Sequence, residues 1–315
     1  MSTIPIIIDC DPGQDDAVML LLALASPKEL KICGISTVAG NVPLELTQRN
    51  ARIICELAGR SDVSVYAGCK RPLVRPPITA ENVHGHTGID GFNVFEPTAP
   101  LEELHGVDFI IDTLMASADG EITLVLTGPH TNVAVAMVKE PGIIPKIAKI
   151  VLMGGAFREK GNTQPSAEFN ILADPHSAHI VFGSGCHIVA IGLDVTNKTV
   201  ATPERMRTIE RIPGKIGQAV HDMLTFYDRK NPEKYGSFGS PLHDPCTVAY
   251  LLKPELFASK LVNVEIEIQS ELTMGETVVD FWGVTGRRPN VHWAHQIDHD
   301  QFYSLLLNRI ARLPG

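Results

Sequence analysis

Short β-branched runs and helical patterns take turns along most of this 315-residue chain. Ile4–Asp9 is an apolar, β-branched run, and Asp15–Ala25 reads as a helix. Lys31–Thr37 and Leu44–Ala58 repeat that pair, and a short strand follows at Val63–Tyr66. His105–Ala118, Asn132–Val138 and Asp174–Phe182 are helical, with strands at Ile122–Thr127, Lys149–Met153 and His187–Leu193. Strands separated by helices pair in parallel, because each crossover returns the chain to the same edge. The pattern therefore predicts an α/β fold: an open, mostly parallel, Rossmann-like sheet with helices on both faces. From residue 203 the pattern is helical to about Leu252. Leu261–Gln269, Thr277–Phe281 and Val291–Ile297 then form a late β group, expected to be antiparallel, and a closing helix runs to Leu313. No internal repeat or low-complexity linker interrupts the chain, so residues 1–315 are expected to form one domain.

Composition removes several function classes. The net charge is −9, which argues against a face that grips a nucleic-acid backbone. The longest apolar run, Ala17–Ala25, is well short of the roughly 20 residues that span a bilayer. The N-terminus lacks a basic segment of the signal-peptide kind. Cys10, Cys33, Cys55, Cys69, Cys186 and Cys246 are widely spaced and form no C-x-x-C pair. A cytoplasmic protein with reduced thiols is expected, binding neither membrane nor nucleic acid.

Chemistry concentrates where the first strand meets the first helix. Asp9-Cys10-Asp11-Pro12-Gly13-Gln14-Asp15-Asp16 places four carboxylates in eight residues. In parallel sheets that carboxyl edge is where ligands bind. Adjacent carboxylates repel one another, and a hard divalent cation removes the penalty. The plainer alternative is helix capping by Asp15 or Asp16. A second acidic position, Asp244 in Pro241-Leu242-His243-Asp244-Pro245, caps the next helix or returns to the same cation; spacing alone leaves both open. Two stretches, 68–100 and 231–241, are too long for plain connections and are expected to close over a ligand.

These residues resemble the inosine/uridine-preferring nucleoside hydrolases. The likeness rests on Asp9-Cys10-Asp11-Pro12-Gly13-x-Asp15-Asp16, Val38-Ala39-Gly40-Asn41 and Leu126-Thr127-Gly128-Pro129. It continues through Val151-Leu152-Met153-Gly154-Gly155, Ala167-Glu168-Phe169-Asn170 and His243-Asp244-Pro245. The resemblance implies the nucleoside hydrolase fold and Ca²⁺-dependent cleavage of a ribonucleoside to free base and ribose. It implies that Asp11, Asp16, Asp244 and the Thr127 carbonyl hold Ca²⁺, with Asp11 also the base acting on the water nucleophile. Asp15, Asn41 and Asn170 are implied to bind the ribose 2′- and 3′-hydroxyls, with help from Asp244. Asn162 and Glu168 would reach the 5′-hydroxyl, and Met153 and Phe169 would line the sugar pocket. A homotetramer is the implied assembly.

Cleavage of a ribosyl C–N bond passes through an oxocarbenium-like state, which nearby carboxylates stabilise. The departing base needs a proton, and histidine supplies one near neutral pH. His84, in Asn82-Val83-His84-Gly85-His86, and His243 are the candidates, with Tyr235 as a third base-side group. Together they are most similar to the pyrimidine-preferring branch, so uridine and cytidine are the expected substrates. Alternatives are a broad inosine-uridine hydrolase, a haloacid-dehalogenase-type phosphohydrolase, which also carries D-x-D after its first strand, and a non-catalytic nucleoside-binding protein. His86 is expected to be an exposed loop residue. Period-2 alternation puts His292 and His295 on opposite faces, which argues against a metal triad with His299. Phe226, Tyr227 and Trp282 are read as core or subunit contacts.

Overall fold

The structure is a computed structural model that describes residues 3–229 and 239–314. Among these residues, nine strands form one sheet. They are β1 (Ile4–Cys10), β2 (Leu30–Thr37), β3 (Val65–Ala67), β4 (Ile122–Leu126), β5 (Ile147–Met153), β6 (Ile188–Ile191), β7 (Phe257–Ile266), β8 (Thr277–Asp280) and β9 (Val291–Ile297). Their order is β3-β2-β1-β4-β5-β6-β9-β7-β8. The first six are parallel, as the alternation predicts.

The late β group differs from expectation in one respect. β7 is antiparallel to both β8 and β9, but β9 runs parallel to β6 and so extends the main sheet. Strand direction depends on how a connection travels, and hydrophobic periodicity carries no record of it.

β1 is an interior strand, flanked by β2 and β4, and its side chains serve both faces. Ile6, Ile8 and Cys10 join the core beneath the Gln14–Leu24 and Leu44–Leu57 helices. Ile7 joins the opposite core with Leu124, Leu126 and the Gly106–Met115 and Thr131–Lys139 helices. Every residue of Gln14–Leu24 is buried. A helix that is apolar all round is stable only when enclosed, and here the Pro245–Leu252 and Leu44–Leu57 helices pack against it.

This topology dictates where a ligand can bind. From β1 the chain builds outward through β2 and β3, then returns to build the other way from β4. The crevice at the carboxyl ends of β1 and β4 is therefore the switch point of the sheet. Asp11 to Asp16 follow β1 there, and Thr127 follows β4. No helix among the described residues is long and apolar enough to cross a membrane.

Candidate active site

The chain lays a capped helix start and a carboxylate group on that crevice. Gly13 is the N-cap of Gln14–Leu24, and Asp16 Oδ2 accepts from the Gly13 amide at 3.0 Å. The capping alternative thus holds for Asp16, but one lone pair does not exhaust it. Asp16 Oδ2 also accepts from Asn41 Nδ2 at 3.2 Å, and its Oδ1 accepts from Thr127 Oγ1 at 2.8 Å. Asp244 stands at the N-cap of Pro245–Leu252, yet its side chain makes no capping bond. The packing of that helix against Gln14–Leu24 turns Asp244 toward Asp15 and Asp16 instead. Carboxylate oxygens of these three buried residues lie within 4.8 Å of one another.

Asp11 stands beside this trio. Its Oδ2 accepts from the Asn41 amide at 2.7 Å, while Oδ1 is buried without a hydrogen-bond partner. Two glycines make room for it: a Cβ at Gly128 would lie 2.8 Å from Asp11 Oδ1, and a Cβ at Gly40 would overlap Oδ2. Gly40→Ala is accordingly expected to cost about 1–3 kcal/mol and to lower turnover at least about tenfold. Urea denaturation and a nucleoside assay check this; wild-type values in both would show that Asp11 needs no such space.

Asp9 has a different fate. It is still within β1, which ends at Cys10, and shares the face of Ile7, where it accepts from Ser36 Oγ and, at 2.7 Å, from Asn132 Nδ2. It ties β1 to β2 and to the Thr131–Lys139 helix. The sequence cluster of four carboxylates is therefore three, joined by Asp244 from about 230 residues away.

Burial dominates the electrostatics. It raises Asp11 well above the ordinary carboxylate range, with the Asp16 charge adding to the effect. Burial lifts Asp15 to about 6. It lifts Asp16 to about 7, reinforced by the Asp15 charge. Asp244 is raised by burial and then by Asp15 and Asp16. No Lys or Arg side chain forms an ion pair with these carboxylates among the described residues. The donor set is entirely hard oxygen, which suits Ca²⁺ or Mg²⁺ and not a thiophilic metal. The partnerless Asp11 Oδ1 and the crowded trio both fit a bound cation.

Above the carboxylates opens a cavity of about 310 Å³. Asp15, Asn41, Thr127, Met153, Asn162, Glu168, Phe169, Asn170, His84, His243 and Asp244 all line it. Tyr235 lies outside the described residues. Asn170 Nδ2 donates to the Thr127 carbonyl at 2.9 Å and to the Met153 carbonyl at 3.2 Å. Asn41 Nδ2 donates to the Asp11 carbonyl at 3.0 Å. Glu168 caps the Phe169–Ala173 helix and accepts from the Gly155 amide at 3.0 Å; burial lifts its pKa to about 7. Asn162 Oδ1 accepts from the Phe169 amide at 2.9 Å. His243 Nδ1 lies 2.7 Å from Thr196 Oγ1.

The loop 68–100 contributes Ala80, Asn82, Val83 and His84 to the wall, and His86 is exposed. Two residues escaped the sequence reading. Tyr227 is not a core residue: it lines the cavity and stacks on His84, with ring centroids 5.4 Å apart. Gln14 stands behind His84 at 2.7 Å. Trp282 is 73% exposed, so it is not core either. His292 stacks on His187 and His295 meets Phe281 edge to face, so the two point apart as alternation requires.

A carboxylate group beneath a polar cleft, at the switch point of a doubly wound sheet, defines a hydrolase site of the metal-binding type. The family model for the inosine-uridine preferring nucleoside hydrolases matches residues 6–304, and this chain belongs to that family. It is an N-glycosyl hydrolase acting on nucleosides. An uncharacterised protein of Schizosaccharomyces pombe is 48% identical, covering 98% of this chain and 99% of its own. The pyrimidine-specific ribonucleoside hydrolase RihB of Escherichia coli is 46% identical, over 96% of this chain and 95% of its own. Among solved structures, a purine-preferring ribonucleoside hydrolase from Gardnerella vaginalis superposes with a TM-score of 0.91 at 33% identity, covering 98% of each chain. The phosphohydrolase and non-catalytic alternatives fall away with this membership.

Proposed function

We propose that this chain is a Ca²⁺-dependent ribonucleoside hydrolase that prefers pyrimidine ribonucleosides and releases free base and ribose. The observation that carries the proposal is the convergence of Asp15, Asp16 and Asp244 within 4.8 Å beside the partnerless Asp11 Oδ1. Asp11, Asp16, Asp244 and the Thr127 carbonyl would hold the cation. Once bound, Ca²⁺ supplies charge that grips vicinal hydroxyls and acidifies the water nucleophile.

The chain's own groups do the rest. Asp11 takes the proton from the attacking water. Asn41 and Asn170 have their Nδ2 atoms committed to protein acceptors, which leaves their Oδ1 atoms to accept from the ribose hydroxyls. Asp15 shares that task, and Asn162 and Glu168 address the 5′-hydroxyl. The same carboxylates stabilise positive charge as the sugar becomes oxocarbenium-like. His243 delivers a proton to the departing base. Thr196 engages its Nδ1, so that exchange runs through Nε2. Tyr235 assists on the base side.

Pyrimidine preference is favoured by the higher identity to RihB, although the purine-preferring Gardnerella enzyme keeps the same fold. The assembly proposed is a cytoplasmic homotetramer, for which exposed Leu272, Trp282 and Val284 offer apolar surface. A substrate panel tests the function. Uridine and cytidine are expected to exceed inosine in kcat/KM, and 2′-deoxyuridine to fall about 10⁴-fold below uridine. Faster turnover of inosine than of either pyrimidine overturns the preference; equal turnover of 2′-deoxyuridine overturns the diol grip.

A further inference from the structure

Gln14 is fully buried in the first turn of the Gln14–Leu24 helix. Its Nε2 donates to the His84 carbonyl at 2.9 Å and to the Asp90 carbonyl at 3.1 Å. Both amide protons are thereby used. The opposite amide orientation would press an oxygen against two carbonyl oxygens with no proton between them, so the surroundings fix the polarity. The amide oxygen, Oε1, then lies 2.7 Å from His84 Nδ1. An amide oxygen only accepts, so Nδ1 must carry the proton. A neutral imidazole has one N–H, and Nε2 is left with a bare lone pair.

His84 is indeed neutral. Burial, with the nearby His243 and Arg229 charges, holds its pKa down at about 3. The ring lines the cavity, and its Nε2 makes no hydrogen bond among the described residues. Its placement is tight: a Cβ at Gly13 would overlap Nδ1, and Tyr227 stacks on the ring. A side chain so held presents an acceptor to whatever occupies the base end of the cavity.

We propose that Gln14 is a positioning residue that locks His84 in its Nδ1–H tautomer, so that His84 recognises an N–H donor on the leaving base and does not protonate it. The tautomer follows from the protein alone, whereas the ligand class rests on the nucleoside function proposed above. Uracil joined to ribose offers one N–H, at N3, and methylation of N3 removes it.

Two measurements on the full-length protein test this. In long-range ¹H–¹⁵N NMR at pH 7, with the His84 signal identified by its loss in His84→Asn, wild type is expected to show a protonated Nδ1 and a bare Nε2. In Gln14→Met the signal should shift toward the Nε2–H form, which free histidine prefers. A wild-type Nε2–H or imidazolium, or a Gln14→Met spectrum identical to wild type, overturns the lock. In kinetics, wild type is expected to hydrolyse N3-methyluridine about 10²-fold less efficiently than uridine, and Gln14→Met to narrow that gap at least about tenfold. Equal rates on both nucleosides overturn the recognition but leave the nucleoside function standing. Failure to hydrolyse uridine at all overturns the recognition and that function together, and the NMR result then bears on the tautomer alone.

Discussion

Asp11→Asn is expected to fold and to lose about 10³–10⁴ in kcat on uridine. A positioned general base is worth about 10²–10⁴, and removal of one preorganised electrostatic group about 10²–10³. Asparagine keeps the shape of the side chain, and its amide oxygen still accepts from the Asn41 amide that now binds Asp11 at 2.7 Å. It cannot take a proton, and it withdraws one negative charge from the cation site. Loss through misfolding is distinguishable, because Asp11 is a buried carboxylate beside Asp16 and its neutralisation removes a native-state penalty. The metal-free variant should therefore resist urea at least as well as wild type. Turnover within tenfold of wild type, with the fold intact, would show that another group activates the water.

The metal-free protein is expected to be more stable near pH 5 than near pH 8, by several kcal/mol. The sign follows from the carboxyls. In the folded chain Asp15 releases its proton at about 6, and Asp16 and Glu168 at about 7. In the unfolded chain they do so at ordinary carboxylate values near 4. Between those limits the folded state holds protons that the unfolded state has released, so rising pH drains stability. The drain is complete once pH passes the folded values. Calcium should flatten the profile by neutralising the cluster, but not entirely. Asp9 also sits at about 7 through burial, and it faces Ser36 and Asn132 on the other side of the sheet. Urea midpoints at the two pH values, with chelator and with calcium, measure this. A chelated protein whose stability rises from pH 5 to pH 8 would refute the charge crowding.

The parallel sheet was legible because six strands and their helices repeat one periodic pattern, whereas the strand order that puts the switch point between β1 and β4 is set by how the connections travel. The carboxylates and amides of the site were legible for the same reason: they follow strand ends. Asp244 stayed ambiguous in sequence because its choice between capping and clustering is made by the packing of Pro245–Leu252 against Gln14–Leu24. Asp9 was counted with the cluster because it shares the parity of Asp11; only the end of β1 at Cys10, where the backbone leaves the strand, parts the two. Gln14 passed as an arbitrary letter between Gly13 and Asp15, since its partners His84 and Asp90 arrive from a loop some 70 residues later. Tyr227 was invisible because only tertiary packing sets a helix residue against the His84 ring.

Calorimetric titration of calcium into chelator-treated protein tests the metal site most directly. One site per chain is predicted, abolished in Asp16→Asn and in Asp244→Asn, with uridine hydrolysis returning in step with occupancy. Absence of binding heat, or binding that survives both substitutions unchanged, would contradict it.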